Sequence, residues 1–107
     1  MAARTEVLDA LGDPTRRAIL DLLRREGSRS VREIADALPV TRSAVSQHLR
    51  VLKDARLVRD EPRGTRRFYS LAPEGLADAR AYLELFWQHA LASLKDAAEA
   101  SETNAGA

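Results

Sequence analysis

The stretch from Ser30 to Lys53, SVREIADALPVTRSAVSQHLRVLK, constrains this chain more than any other. Its pattern predicts two short helices joined by a tight turn. Ser30 with Glu33 three residues later is a capping box, so the first helix starts at Val31. Ile34, Ala35 and Leu38 give that helix an apolar stripe, and Pro39 stops it. Thr41 is placed to cap the second helix. At about 100° per residue, Val45, Leu49 and Leu52 fall within about 60° of one another and must face a core. Ser43, Gln47 and Arg50 then point the opposite way, with Ser46 beside them. A helix with aliphatics behind and Ser, Gln and Arg in front suits base edges and phosphates in a major groove. The pattern points to a helix-turn-helix that reads duplex DNA.

The period changes after Lys53. Leu57 to Glu61 and Thr65 to Leu71 are rich in β-formers, with polar residues interspersed. Pro62-Arg63-Gly64 between them suits a turn with Pro at its second position and Gly at its fourth. The result is a two-stranded hairpin carrying Arg59, Arg63, Arg66 and Arg67, and a lone hairpin must pack on neighbouring helices to be stable. A helix-turn-helix followed directly by a basic hairpin is a winged helix.

Charge placement supports the same reading better than net charge, which is only +1. Residues 1–28 balance five basic against five acidic groups, whereas residues 29–67 hold ten against five and residues 68–107 two against six. A duplex attracts the middle and repels the end, which orients the protein on approach. Coding bias accounts for fifteen of the seventeen basic residues being Arg, but not for this segregation.

A chain of 107 residues is expected to form one small domain with a modest core. It has no run of 18 apolar residues and no charged start followed by an apolar stretch, so a soluble cytoplasmic protein is expected. With no cysteine there can be no disulfide, thiolate metal site or thiol redox sensor.

The flanks supply more helices. Arg4 to Leu11 reads as a short one; Asp13-Pro14 is an N-cap with Pro at the first helical position, opening a second that runs to about Arg25. Ile19, Leu20, Leu22 and Leu23 face inward, and Gly27 stops the helix. A last helix is expected from Pro73 to about Ala98, with residues 99–107 as a disordered tail. Leu76, Ala79, Leu83, Phe86, Ala90 and Leu94 form one stripe, widened by Tyr82, Leu85 and Trp87. That is more apolar surface than a small core can cover, so a two-fold homodimer through the first and last helices is expected. Its interface would use Leu8, Tyr82, Leu83, Phe86, Trp87 and Ala90.

Three motifs in order, LGDPTRRAIL from Leu11, Ser43-x-Val45-Ser46-Gln47-His48-Leu49-x-x-Leu52 and Gly64-x-x-Arg67-x-Tyr69-x-Leu71, resemble the ArsR/SmtB family of winged-helix repressors over about residues 4 to 95. The resemblance implies a mainly α winged helix-turn-helix, with four helices, a β-hairpin wing and a fifth helix. It also implies a dimer that represses its own operon by covering a palindromic operator, with positions 43, 46, 47 and 48 on the recognition helix. Residues 1–98 would form the domain, 30–71 its DNA-reading part, and helices 4–11 and 73–98 its dimerisation part. The expected DNA contacts are Thr41, Arg42, Ser43, Ser46, Gln47, His48, Arg50, Arg63, Arg66 and Arg67.

Metal-sensing members commonly place a Cys-x-Cys pair at the start of the helix that here reads Val31 to Ala37, or pair His with Asp or Glu along the last helix. This chain lacks the cysteines and offers there only Asp78, Glu84 and a single His89, so no metal or other cofactor is expected. Release from DNA then falls to a small molecule, a protein effector or simple control by concentration. No phosphate loop or Ser/His/Asp constellation suggests an enzyme. The alternatives are a metal-responsive repressor of the same family, and a winged-helix module for protein contact without DNA affinity. The second predicts a neutral wing and an uncharged recognition face, against the arginines found here.

Overall fold

The computed structural model describes residues 2–106, with side chains over 6–101. Two helices open the chain, α1 (Ala2–Leu11) and α2 (Pro14–Glu26). The corner between them is built by the Gly12-Asp13-Pro14-Thr15-Arg16-Arg17 motif. Asp13 Oδ1 accepts from the backbone N–H of Thr15 at 2.8 Å and of Arg16 at 3.1 Å, which caps α2. Arg16 donates back to the carbonyls of Ala10 (2.8 Å) and Asp9 (3.1 Å), and Arg17 to that of Leu11 (2.8 Å). The orphan carbonyls ending α1 are thus satisfied by cations, which also suit its negative pole. At its far end α2 stops at Gly27, whose φ of +79° is open to glycine at little cost.

A two-residue strand, β1 (Arg29–Ser30), leads into α3 (Val31–Ala37) and then α4 (Arg42–Asp54). The capping box has both halves: Ser30 Oγ accepts from Glu33 N–H at 3.2 Å, and Glu33 Oε1 accepts from Ser30 N–H at 3.0 Å. Thr41 Oγ1 accepts from Ala44 N–H at 3.1 Å and caps α4. The far end of α4 closes with the paired 6→1 and 5→2 bonds of a Schellman motif, Leu57 N–H to Leu52 carbonyl and Arg56 N–H to Lys53 carbonyl, both 2.9 Å. Arg56, at φ +61°, takes the left-handed position where glycine is usual.

Strands β2 (Val58–Arg63) and β3 (Arg66–Leu71) form the wing, and α5 (Pro73–Gly106) completes the chain. The sheet is antiparallel in the order β1-β3-β2. Val7, Ile19, Ile34, Val45, Leu49, Leu52 and Leu57 are the large side chains at its buried centre. They come from α1, α2, α3, α4 and the residue before β2, so the apolar face of α4 is packed against the three helices that precede it.

Four details depart from the sequence-based expectation. The hairpin turn is not centred on Pro62-Arg63: both lie in β2, pairing with Arg67 and Arg66, and Gly64-Thr65 forms a two-residue loop. Gly64 at φ +65° occupies the first central position, where a type II′ hairpin wants glycine, and that turn matches strand twist better. The strand β1 is unforeseen; two residues carry no period. Leu20, expected inward, is half-buried and packs against the edge of the core rather than inside it. Finally α5 does not stop at Ala98 but continues to Gly106, through Ala97, Ala98, Glu99 and Ala100, all good helix formers. Residue 107 lies outside the described chain.

Candidate nucleic-acid interface

The site is built on α4. Val45, Leu49 and Leu52 are buried at 0–1% exposure, which fixes the rotation of the helix about its axis. Ser43, Gln47 and Arg50 are exposed on the opposite side, with Ser46 exposed beside them and Arg42 exposed at the first residue of the helix. Thr41 is exposed too, although its hydroxyl already accepts the capping bond. His48 departs from the rest: it is half-buried, with Nδ1 3.5 Å from Arg16 Nη1 on α2. It sits at the seam between α4 and the α1–α2 corner rather than on the open face.

The wing stands beside α4, and its arginines are ordered by acids and an aromatic ring. In the antiparallel register Arg63 and Arg66 pair directly, on the same face as Phe68. Their guanidinium carbons lie 4.6 Å and 5.2 Å from the Phe68 ring centroid, a cation–π arrangement that stiffens the tip. Arg63 also donates to Glu61 Oε1 at 2.6 Å and 3.0 Å, an exposed pair. Arg66 donates to Ser30 Oγ at 3.0 Å and lies 3.9 Å from Glu33, so it ties the wing to the N-terminus of α3. Arg67 points to the other face and donates to Asp60 Oδ2 at 2.7 Å.

Between α4 and the wing runs an open cleft of about 380 Å³, lined by Ser30, Arg32, Arg42, Ser46, Arg66 and Arg67 among others. Four arginines from three elements line this channel and give a local positive potential that suits a phosphate backbone. Arg32 is an addition to the residues the sequence points to. Its exposed position on α3 is legible, but its convergence with Arg42 depends on how the two helices cross.

Carboxylates hold the scaffold around this surface. Backbone hydrogen bonds from Arg16 and Thr15 keep the Asp13 carboxyl below the usual range. Those from Ser30, backbone first and hydroxyl second, do the same for Glu33. Asp60 is lowered by its bond from Lys53 and then by Arg67, against the opposing effect of burial. Its side chain is 8% exposed, whereas Lys53 and Arg67 are each 53% exposed.

The residues expected at a dimer interface lie elsewhere, along α5 and α1. Leu8 and Tyr82 are half-buried, and the rings of Tyr82 and Phe86 meet edge to face with centroids 5.1 Å apart. Leu83 (55%), Phe86 (58%) and Trp87 (59%) are exposed, as are Ala90 and, further on, Leu91 and Leu94. No group of three or more His, Cys, Asp or Glu side chains converges among the described residues. His89 is exposed on α5, far along the chain from His48. Among the described residues no helix is long and apolar enough to cross a membrane.

Comparison with known proteins agrees with this geometry. The family described as bacterial regulatory protein, arsR family, matches residues 13–60, from the Asp13 cap to Asp60 in the wing. The chain is 58% identical over 82 residues to the HTH-type transcriptional regulator Rv2034 of Mycobacterium tuberculosis, covering 77% of this chain and 76% of that one. It is 38% identical over 73 residues to the transcriptional repressor SdpR of Bacillus subtilis, covering 68% and 80%. Among solved structures, the homodimeric winged helix-turn-helix DNA-binding domain Mb0332 of Mycobacterium bovis superposes with a TM-score of 0.66 at 33% identity. That alignment covers 81% of this chain and 80% of the other.

Proposed function

Because the chain belongs to the arsR family of bacterial regulatory proteins, and is a transcriptional regulator rather than an enzyme, we propose that it is a homodimeric repressor that reads a palindromic operator. The observation that carries the reading is the open face of α4. Ser43, Ser46, Gln47 and Arg50 are exposed there, back to back with a fully buried aliphatic stripe and flanked by an arginine-lined cleft. In this reading Ser43, Ser46, Gln47 and Arg50 meet base edges in the major groove. Arg42, Arg63, Arg66 and Arg67 meet phosphate or the minor groove. Thr41 and His48 act at the margins, Thr41 through the cap it makes and His48 through the seam with α2.

Residues 30–71 are the reading part, and residues 4–11 with 73–98 are the dimerisation part. The exposed Leu83, Phe86 and Trp87 would be covered by a second copy, and the solved homodimeric relative supports that arrangement. The protein would act in the cytoplasm. Control of its own operon is the simplest circuit, and an effector, if one acts, is a small molecule or a protein.

Selection from a random duplex pool, followed by gel-shift on the gene's upstream region, tests this. Enrichment of a palindrome that also occurs upstream is the expected result. Failure to enrich any sequence at about 0.15 M salt, where non-specific attraction is already screened, would overturn it.

A further inference from the structure

Both sides of the DNA-facing surface meet at one buried carboxylate. Asp60 Oδ1 lies 3.0 Å from Lys53 Nζ, on the last turn of α4, and Asp60 Oδ2 lies 2.7 Å from Arg67 Nη1 on β3. Each oxygen therefore serves a different element, and the carboxylate is only 8% exposed while both cations remain half open to solvent. We propose that Asp60 is a positioning residue, which locks the wing at a fixed angle to the recognition helix so that both can engage one duplex together. This rests on the DNA-reading function proposed above.

Two effects compete at Asp60. An acid beside a DNA-binding surface repels phosphate and withholds charge from Lys53 and Arg67, so on electrostatics alone it should weaken binding. The wing is a two-stranded projection whose tip, Arg63 to Arg66, lies beyond the packed core. Arg66 and the β1 pairing hold the wing to α3, and the Asp60–Lys53 bridge holds it to α4; without that bridge the wing can shift against the recognition helix. A surface competent only a tenth of the time loses about tenfold in apparent affinity. That loss falls on the sequence that engages helix and wing together, not on loosely held random duplex.

Glu61 supplies the control. Among the described residues its carboxylate, one residue on, bridges Arg63 within the same strand, so its loss removes the same charge without cutting the helix–wing link.

The experiment measures affinity for the duplex that the parent protein enriches from a random pool, and for a scrambled duplex of equal length, in D60N, E61Q and K53M. Asn is isosteric with Asp and leaves no buried charge, because its two former partners reach solvent; urea unfolding checks that D60N remains folded. K53M cuts the link at its helix end and serves should D60N fail to fold. Expected is a loss of about tenfold in operator-to-scrambled preference for D60N and K53M. D60N should keep or gain affinity for the scrambled duplex, and E61Q should keep its preference. D60N behaving like E61Q would overturn the inference, reducing Asp60 to a repelling charge. So would an equal loss on both duplexes by a folded D60N. A parent that enriches nothing overturns the DNA-reading function itself, and the inference with it.

Discussion

At the scale of single residues, the chain separates groups that hold the fold from groups left free to read. Ser43, Ser46 and Gln47 are exposed and contribute nothing to the buried stripe of α4. Truncating each to Ala should therefore leave thermal unfolding unchanged and weaken operator binding by about 1–3 kcal/mol, relaxing preference at one base pair per half-site. Operator titration of the three variants checks this; parental affinity in all three would mean the reading face is elsewhere. Gly75 is the opposite case. A Cβ there would lie 2.5 Å from the Arg56 carbonyl oxygen and 2.6 Å from that of Ala55, backbone atoms that cannot step aside. Its own N–H donates to the Arg56 carbonyl at 2.7 Å, which pins the start of α5 to the end of α4. Gly75→Ala should cost about 1–3 kcal/mol in a urea unfolding series, because the two helices must separate. Most of this scale was legible in the sequence, since caps and helical faces are local. Gly75 and Arg32 were not, because their roles depend on elements that meet only after folding.

At the scale of elements, the helix-turn-helix was legible nearly to the residue, because capping box, Pro39 and Thr41 mark its limits chemically. The wing was legible as a hairpin but its turn was displaced, since Pro62 competes with Gly64 as a turn signal and strand twist favours glycine first in the loop. The strand β1 exists only through pairing with Tyr69 and Phe68, some forty residues away in sequence, and leaves no local trace. The link between α4 and the wing has a measurable pH signature. Asp60 titrates below the usual carboxylate range in the folded protein, held down first by the bond from Lys53. Its stabilising effect is therefore complete above the unfolded value, about 3.9, and is lost as pH falls through the lower folded value. Urea midpoints should be flat from about pH 7 to 5 and fall below about pH 4, less steeply in D60N than in the parent. Identical acid limbs in both proteins would show that the bridge adds no stability. Asp13, Asp21 and Glu33, also lowered, act with the same sign and contribute to the fall that remains in D60N.

At the scale of the whole molecule, one chain looks incomplete. A compact chain of this length has a radius of gyration near 13 Å, but this one measures 19.7 Å, with extents of 74 × 27 × 19 Å. The excess is α5, 34 residues or about 51 Å long. Only its first part packs on the body, and beyond it Leu83, Trp87, Ala90 and Leu94 recur at helical spacing with no cover among the described residues. The sequence showed the apolar excess but not where the helix would end, since Ala and Glu near residue 100 continue a helix as readily as they form a loose tail. If a second copy covers this seam, Phe86→Asp or Trp87→Asp would bury a charge and split the dimer. Sedimentation should then show a monomer that has lost operator affinity. A variant that still sediments and binds as a dimer would move the interface off α5.

Operator reading of the kind proposed requires two copies to present α4 and the wing to one duplex in a fixed frame. Hydroxyl-radical footprinting on the enriched duplex measures that frame directly. Two protected patches on one face of the duplex, about 34 Å apart, are predicted, each flanked by weaker protection where the wing reaches the neighbouring groove. A single unpaired patch, or uniform protection indifferent to sequence, would contradict it.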